Sequence, residues 1–239
     1  MRVGSCLDFP PFEFVEGGDE KGFDVDLTEE IASRLGLQVQ WVRADFDTIF
    51  TALAANDFDM VAAAVTATGD VGAQRDQVVD FSDYYFNAGQ SLAVNVQRTP
   101  DIKSVDDLEP GDIVGVQRGT TGKDWAEENL APRGIQVKTY RTITPAFADL
   151  EAGAITGIVN DAPSSEGIIQ RQQLTGVVEV VQFIDTGEKY AFAFSEDNPG
   201  LREAVNQVLR EIIADGTYAE IWKRWFPQTP LPEEYQPTS

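Results

Sequence analysis

Histidine is absent from the 239 residues, and cysteine occurs once, at Cys6. Without an imidazole, Ser-His-Asp hydrolysis, Cys-His proteolysis and HExxH zinc chemistry are excluded. One cysteine excludes an intrachain disulfide and any cysteine-clustered metal site, and neither a metal nor a cofactor is expected. No run of eighteen or more apolar residues exists, so no membrane-spanning helix is expected. The N-terminus lacks the basic-then-apolar pattern of a signal peptide, so any export signal lies outside this sequence. Positive charge is also scarce: 18 Lys and Arg face 40 Asp and Glu, a net charge of -22. That balance argues against nucleic acid or an anionic membrane as a partner. Only six of the basic residues are lysine, which suits a salt-adapted surface as well as plain solubility.

What is present is an alternation of strand-like and helix-like stretches. Residues 2–6 read as a short strand, ended by the loop that Pro10 and Pro11 force. Leu27, Ile31 and Leu35 share one helical face, with Gly36 as the stop. Strands are expected at 38–42, 59–65, 113–116, 136–140, 177–181 and 190–194, and helices at 46–55, 144–153, 201–212 and 218–225. The proline-rich tail after 226 is expected to be loose. This alternation is the signature of an α/β fold with a parallel sheet covered by helices.

The stretch 59–82 is the expected centre of function. Its apolar run, 60–65, suits a strand covered on both faces, and it turns polar at Thr66. Ligand sites in α/β folds gather at such strand ends. Thr66, Thr68 and Arg75 follow, and a fixed guanidinium can hold a carboxylate through two parallel hydrogen bonds. The bland alternative for Arg75 is a solvated surface charge. Gly119-Thr120-Thr121-Gly122 opens a helix, where backbone N–H groups and hydroxyls favour an anion. Asp161, two residues before Pro163, reads without further information as a helix N-cap.

With these residues in view, the chain resembles the polar amino-acid solute-binding proteins of ABC importers, the group of the glutamine, histidine and lysine/arginine/ornithine binders. The resemblance is carried by PPFEF at 10–14, GFDVDL at 22–27, Thr66 and Thr68, RDQVVDFSDYY at 75–85, GTTG at 119–122, NDAP at 160–163 and DGTYAEIWKRWF at 215–226. It implies a two-lobed, type II periplasmic-binding-protein fold with two crossover strands and the ligand between the lobes. One lobe would be residues 1–87 plus 186–239 and the other 91–184, with hinges near 87–91 and 184–189.

The resemblance also assigns roles. Arg75 would grip the ligand's α-carboxylate, assisted by Thr121, and Asp161 would pair with the α-ammonium. Ala64 and Thr66 would offer a backbone carbonyl and a hydroxyl to the ammonium. Phe9 and Phe46 would sandwich the side chain, although an isolated phenylalanine is more often plain core. Gln117, Arg118 and Asn160 stand where a side chain is read. Two departures matter. Thr66 and Arg75 are nine residues apart where the family has five, an insertion of about four within 69–74. Cys6 sits where binders of basic amino acids carry an aspartate, with Asp8 as its neighbouring substitute.

The expected function is thus non-catalytic: an extracytoplasmic monomer that captures a free polar L-amino acid, glutamine first and glutamate second, and delivers it to an ABC permease. The alternatives are an enzyme like the cyclohexadienyl dehydratases, which share this fold and would need an acid such as Glu13, Asp8 or Cys6, and the sensory domain of a larger receptor.

Overall fold

The computed structural model describes residues 1–238. In chain order the first elements are β1 (Arg2–Ser5), β2 (Asp8–Phe9), β3 (Glu13–Glu16), β4 (Asp19–Lys21), α1 (Phe23–Arg34), β5 (Gln40–Arg43), α2 (Ile49–Ala54), β6 (Met60–Val61), α3 (Gly69–Arg75), β7 (Asp80–Phe81) and β8 (Phe86–Asn95). There follow β9 (Ile113–Gln117), α4 (Thr121–Asn129), β10 (Gln136–Tyr140), α5 (Thr144–Ala152), β11 (Gly157–Asp161), α6 (Ala162–Arg171), β12 (Val178–Tyr190), β13 (Ala193–Phe194), α7 (Pro199–Ala214) and α8 (Thr217–Trp225). None of the helices in the described residues is long and apolar enough to cross a membrane.

The chain divides into two compact units. The first contains Met1–Leu7, Pro11–Asn87 and everything from Lys189 onward; the second contains Asp8–Pro10 and Ala88–Glu188. The first unit has a five-stranded sheet in the order β5-β1-β6-β13-β7. It is mixed rather than parallel: β1 runs parallel to β5 and β6, but β13 is antiparallel to β6 and β7. The strand β13, late in the chain, lies between β6 and β7 and runs antiparallel to both. Phe12, Phe23, Phe86, Tyr190, Trp222 and Phe226 form an aromatic core beside this sheet, with ring centroids 4.9 to 6.0 Å apart for the closest pairs. Gly22 at φ 137 turns the chain into α1, and a Cβ there would collide with the Phe12 carbonyl.

The second unit has the sheet β10-β9-β11-β8-β12. Here β9 is parallel to β10 and β11, and β11 is antiparallel to β8. Its core is Leu92, Val94, Val114, Val116, Ala126, Leu130 and Val159.

Several expectations are corrected. The strand expected over 59–65 is regular only at Met60–Val61, because the chain takes a left-handed step at Ala64, φ 47. The helix expected from 46 begins at Ile49. The strands expected at 177–181 and 190–194 are one 13-residue strand, β12, followed by the two residues of β13. The α5 N-cap is Ile143, one residue before Thr144. Thr144 is the first helical residue, and its hydroxyl donates to the Asp8 carbonyl at 3.3 Å. The tail is not loose either. Tyr235 is buried, 5.1 Å from the Tyr218 ring, and Glu234 accepts from Asn87 at 2.6 Å.

Candidate functional site

In the first unit the polar groups stand on the broken end of β6. Asp24, in the first turn of α1, is completely buried. Its Oδ2 accepts the Ala64 N–H at 2.8 Å and the Tyr85 hydroxyl at 2.8 Å. A non-glycine residue at φ 47 is strained, so this bond holds the unusual step in place. Burial pushes the Asp24 carboxyl up to about 6, although its two donors favour the charged form. Burial likewise pushes the Tyr85 phenol well above its ordinary value.

Past the break, Thr66 is buried and bridges to Tyr190, and its carbonyl accepts from Arg75 Nη1 at 2.8 Å. Arg75 is the last residue of α3, where a cation is favoured by the helix dipole. The residues that lengthen the Thr66–Arg75 spacing are helical and form most of α3. The Arg75 guanidinium carbon lies 5.2 Å from the Phe46 ring centre and 5.0 Å from that of Phe50, and the residue is only 7% exposed. Two aromatic faces and a carbonyl thus immobilise a charge that the sequence left open to solvent. Cys6 is buried in the same apolar cluster as Phe46, Val61 and Ala63.

In the second unit, Asp161 ends β11 and Thr121 starts α4. Asp161 occupies the N-cap position of α6, but its side chain makes no cap bond; Oδ1 accepts from Gln90 Nε2 at 2.7 Å instead. The α4 cap is Thr120, whose hydroxyl accepts from the Lys123 N–H. The Thr121 hydroxyl turns the other way and donates to Glu188 Oε2 at 2.8 Å. Gln117 is buried at the end of β9. Asn160 is buried too, with Nδ2 donating to Ser165 Oγ and the Asp161 carbonyl. Arg118 is exposed, Asp8 is half-buried and Phe9 is buried.

The structure therefore gathers Ala64, Thr66, Arg75, Phe46 and Cys6 in one unit, and Thr121 and Asp161 in the other. Sequence reasoning missed Asp24, Phe50, Gln90 and Glu188. The only signal for Gln90 was a long amide in the strand FNAGQSLAVN. Chemically the first group offers a fixed guanidinium for a carboxylate, and the second offers carboxylates for N–H donors. A separate open pocket of about 900 Å³ in the first unit contains Lys189, Arg202 and Arg210, but these face Glu234, Asp80 and Asp83 in ion pairs. No group of three or more metal-ligating side chains occurs among the described residues.

Comparisons with known proteins bear on what these groups serve. The family model for bacterial extracellular solute-binding proteins, family 3, matches residues 1–228. The histidine-binding periplasmic protein of Escherichia coli is 29% identical over 232 residues, covering 95% of this chain and 87% of that protein. An ancestral arginine-binding protein bound to arginine superposes with a TM-score of 0.86 at 36% identity, over 94% of this chain and 97% of the other. An ancestral amino acid-binding protein, a precursor of cyclohexadienyl dehydratase, superposes with a TM-score of 0.84 at 35% identity, over 95% of each chain.

Proposed function

Because the chain belongs to the bacterial extracellular solute-binding proteins, family 3, we propose that it captures a free polar L-amino acid outside the cytoplasm and passes it, as a monomer, to an ABC permease. The fold is the type II periplasmic-binding-protein fold of its structural neighbours. The observation that carries the reading is the immobilised Arg75 in one unit and the amide-held Asp161 in the other, groups of opposite charge suited to the two ends of a zwitterion. Ala64 and Thr66 serve the ammonium, Thr121 the carboxylate, and Phe9 and Phe46 the side chain. Capture works by differential affinity, with bending near 87–91 and 184–189 and tighter binding in the closed state.

A thermal-shift panel of the twenty L-amino acids tests this first. At a hundred times its Kd the true ligand adds about 2.7 kcal/mol of stability. The matching α-keto acid or amine, each lacking one end, leaves the melting temperature unmoved. If no amino acid shifts it, the proposal fails.

The finer reading is glutamine ahead of glutamate, and both ahead of arginine or lysine, with Gln117, Arg118 and Asn160 near the side chain. It rests on Cys6, a neutral thiol at the position where binders of basic amino acids carry an aspartate. A second reading, a cationic amino acid, is favoured by the ligands of the named relatives, and Asp8 would then supply the acid. Calorimetry with L-glutamine and L-arginine separates them: a tighter arginine isotherm reverses the ranking.

No catalytic role is proposed. Cys6 and Glu13, two of the acids that a dehydratase reading would use, are buried, and the names of the relatives above are those of binding proteins. Turnover of a cyclohexadienyl acid by the purified protein would favour the enzyme instead.

A further inference from the structure

Gln90 stands directly opposite Asp161 in the antiparallel pairing of β8 with β11, and its side chain is completely buried. Its Nε2 meets three oxygens: Asp161 Oδ1 at 2.7 Å, Glu188 Oε1 at 2.8 Å and Thr121 Oγ1 at 3.1 Å. An amide nitrogen has two hydrogens, so one is shared between two of these oxygens. Thr121 and Thr186 each donate a hydroxyl to Glu188, at 2.8 and 2.6 Å. The other end of the amide is equally constrained. A Cβ at Gly122 would lie 2.6 Å from Gln90 Oε1, so position 122 must be bare for the amide to sit there. Gln90 Oε1 and Gln117 Oε1 are both buried acceptors with no donor. Buried acceptors without donors are uncommon and costly, and an ammonium would bring three N–H groups to this neighbourhood.

We propose that Gln90 and Glu188 are positioning residues of the ammonium site: the Gln90 amide holds the Asp161 carboxylate at a fixed direction, and Glu188, on the same amide nitrogen, adds a second negative charge beside it. The inference rests on the reading that Asp161 takes the ligand's ammonium. Two carboxylates on one amide repel each other, and the amide's hydrogens offset that repulsion by bonding to both. An arriving ammonium brings further donors and neutralises one charge, so the cluster is preorganised for a cation.

The test is a double-mutant cycle read by calorimetry, with L-glutamine as probe and L-arginine where glutamine gives no heat. Gln90→Met keeps length and burial but removes both hydrogen-bonding functions. It is expected to weaken binding tenfold or more. In an Asp161→Asn background the same change is expected to cost less than threefold, because Gln90 acts through Asp161. Equal losses in the two backgrounds mean a merely structural role and overturn the inference. Glu188→Gln keeps the shape of the cluster and removes only charge. It is expected to lose tenfold or more, and it decides the matter should Gln90→Met fail to fold; unchanged affinity in Glu188→Gln overturns the proposal. A parent protein that binds no amino acid overturns the function itself, whereas a parent that binds with variants unaffected overturns only this assignment.

Discussion

Arg75→Ala is expected to weaken amino-acid binding by two to more than three powers of ten. A zwitterion enclosed by protein loses its water, so each charged end needs a fixed opposite charge. Removing one partner of such a desolvated pair costs about 3 to 5 kcal/mol, at roughly 1.4 kcal/mol per decade of affinity. The change also touches the fold. Arg75 is buried between Phe46 and Phe50 and donates to the Thr66 carbonyl, so alanine strands that acceptor at a cost of about 1 to 3 kcal/mol. At this length each kcal/mol moves the melting temperature by about 2 to 4 °C. The variant should therefore melt earlier and still fold, which circular dichroism checks before titration. Arg75→Lys keeps the charge but loses the planar fork, and should fall between the two. Asp161→Ala should lose binding as severely at less cost to the fold, since Asp161 makes no cap bond. An Arg75→Ala protein that binds within threefold of the parent places the carboxylate anchor elsewhere.

Most helices were legible in the chain because an apolar stripe and a stop residue coincide. For α7, the buried Val205, Val208, Leu209 and Ile212 end at Asp215 and Gly216, the latter with φ 89. Strands were less legible. The run 60–65 is apolar throughout, yet periodicity cannot register that Asp24, 40 residues away, draws the Ala64 N–H out of the ladder. Nor does alternation reveal that β12 runs unbroken through Thr186-Gly187-Glu188. At the site, Arg75 and Asp161 were visible because each is a charge following an apolar strand. Gln90 and Glu188 were not, because their meaning lies in partners 71 and 98 residues distant along the chain. A neutral amide within a strand gives no local hint that it bridges two acids.

Asp24→Ala is expected to destabilise the protein by about 2 to 6 kcal/mol, since it strands two buried donors, the Ala64 N–H and the Tyr85 hydroxyl, at about 1 to 3 kcal/mol each. The strained step at Ala64 would lose its anchor as well, with a further loss of ligand affinity if Ala64 serves the ammonium. Urea unfolding measures the first effect and calorimetry the second; a variant within 1 kcal/mol of the parent would show that the step at Ala64 is held by other contacts. Acidity gives a separate signature. Burial raises the Asp24 carboxyl from 3.8 to about 6, so between these values the folded protein holds a proton that the unfolded chain releases. Stability from this group therefore rises as pH falls through 6 and is complete below 3.8. From pH 7.5 to pH 5 the gain is about 1.4 kcal/mol. Asp24→Asn cannot take up that proton, so the parent should gain on the variant by this amount over the same interval. Tyr85 and Tyr218, pushed well above their ordinary range, stay neutral throughout. Glu166, raised by burial, is common to both proteins, so its contribution cancels in the difference. Parallel pH–stability curves for the parent and Asp24→Asn would mean that Asp24 is not the group responsible.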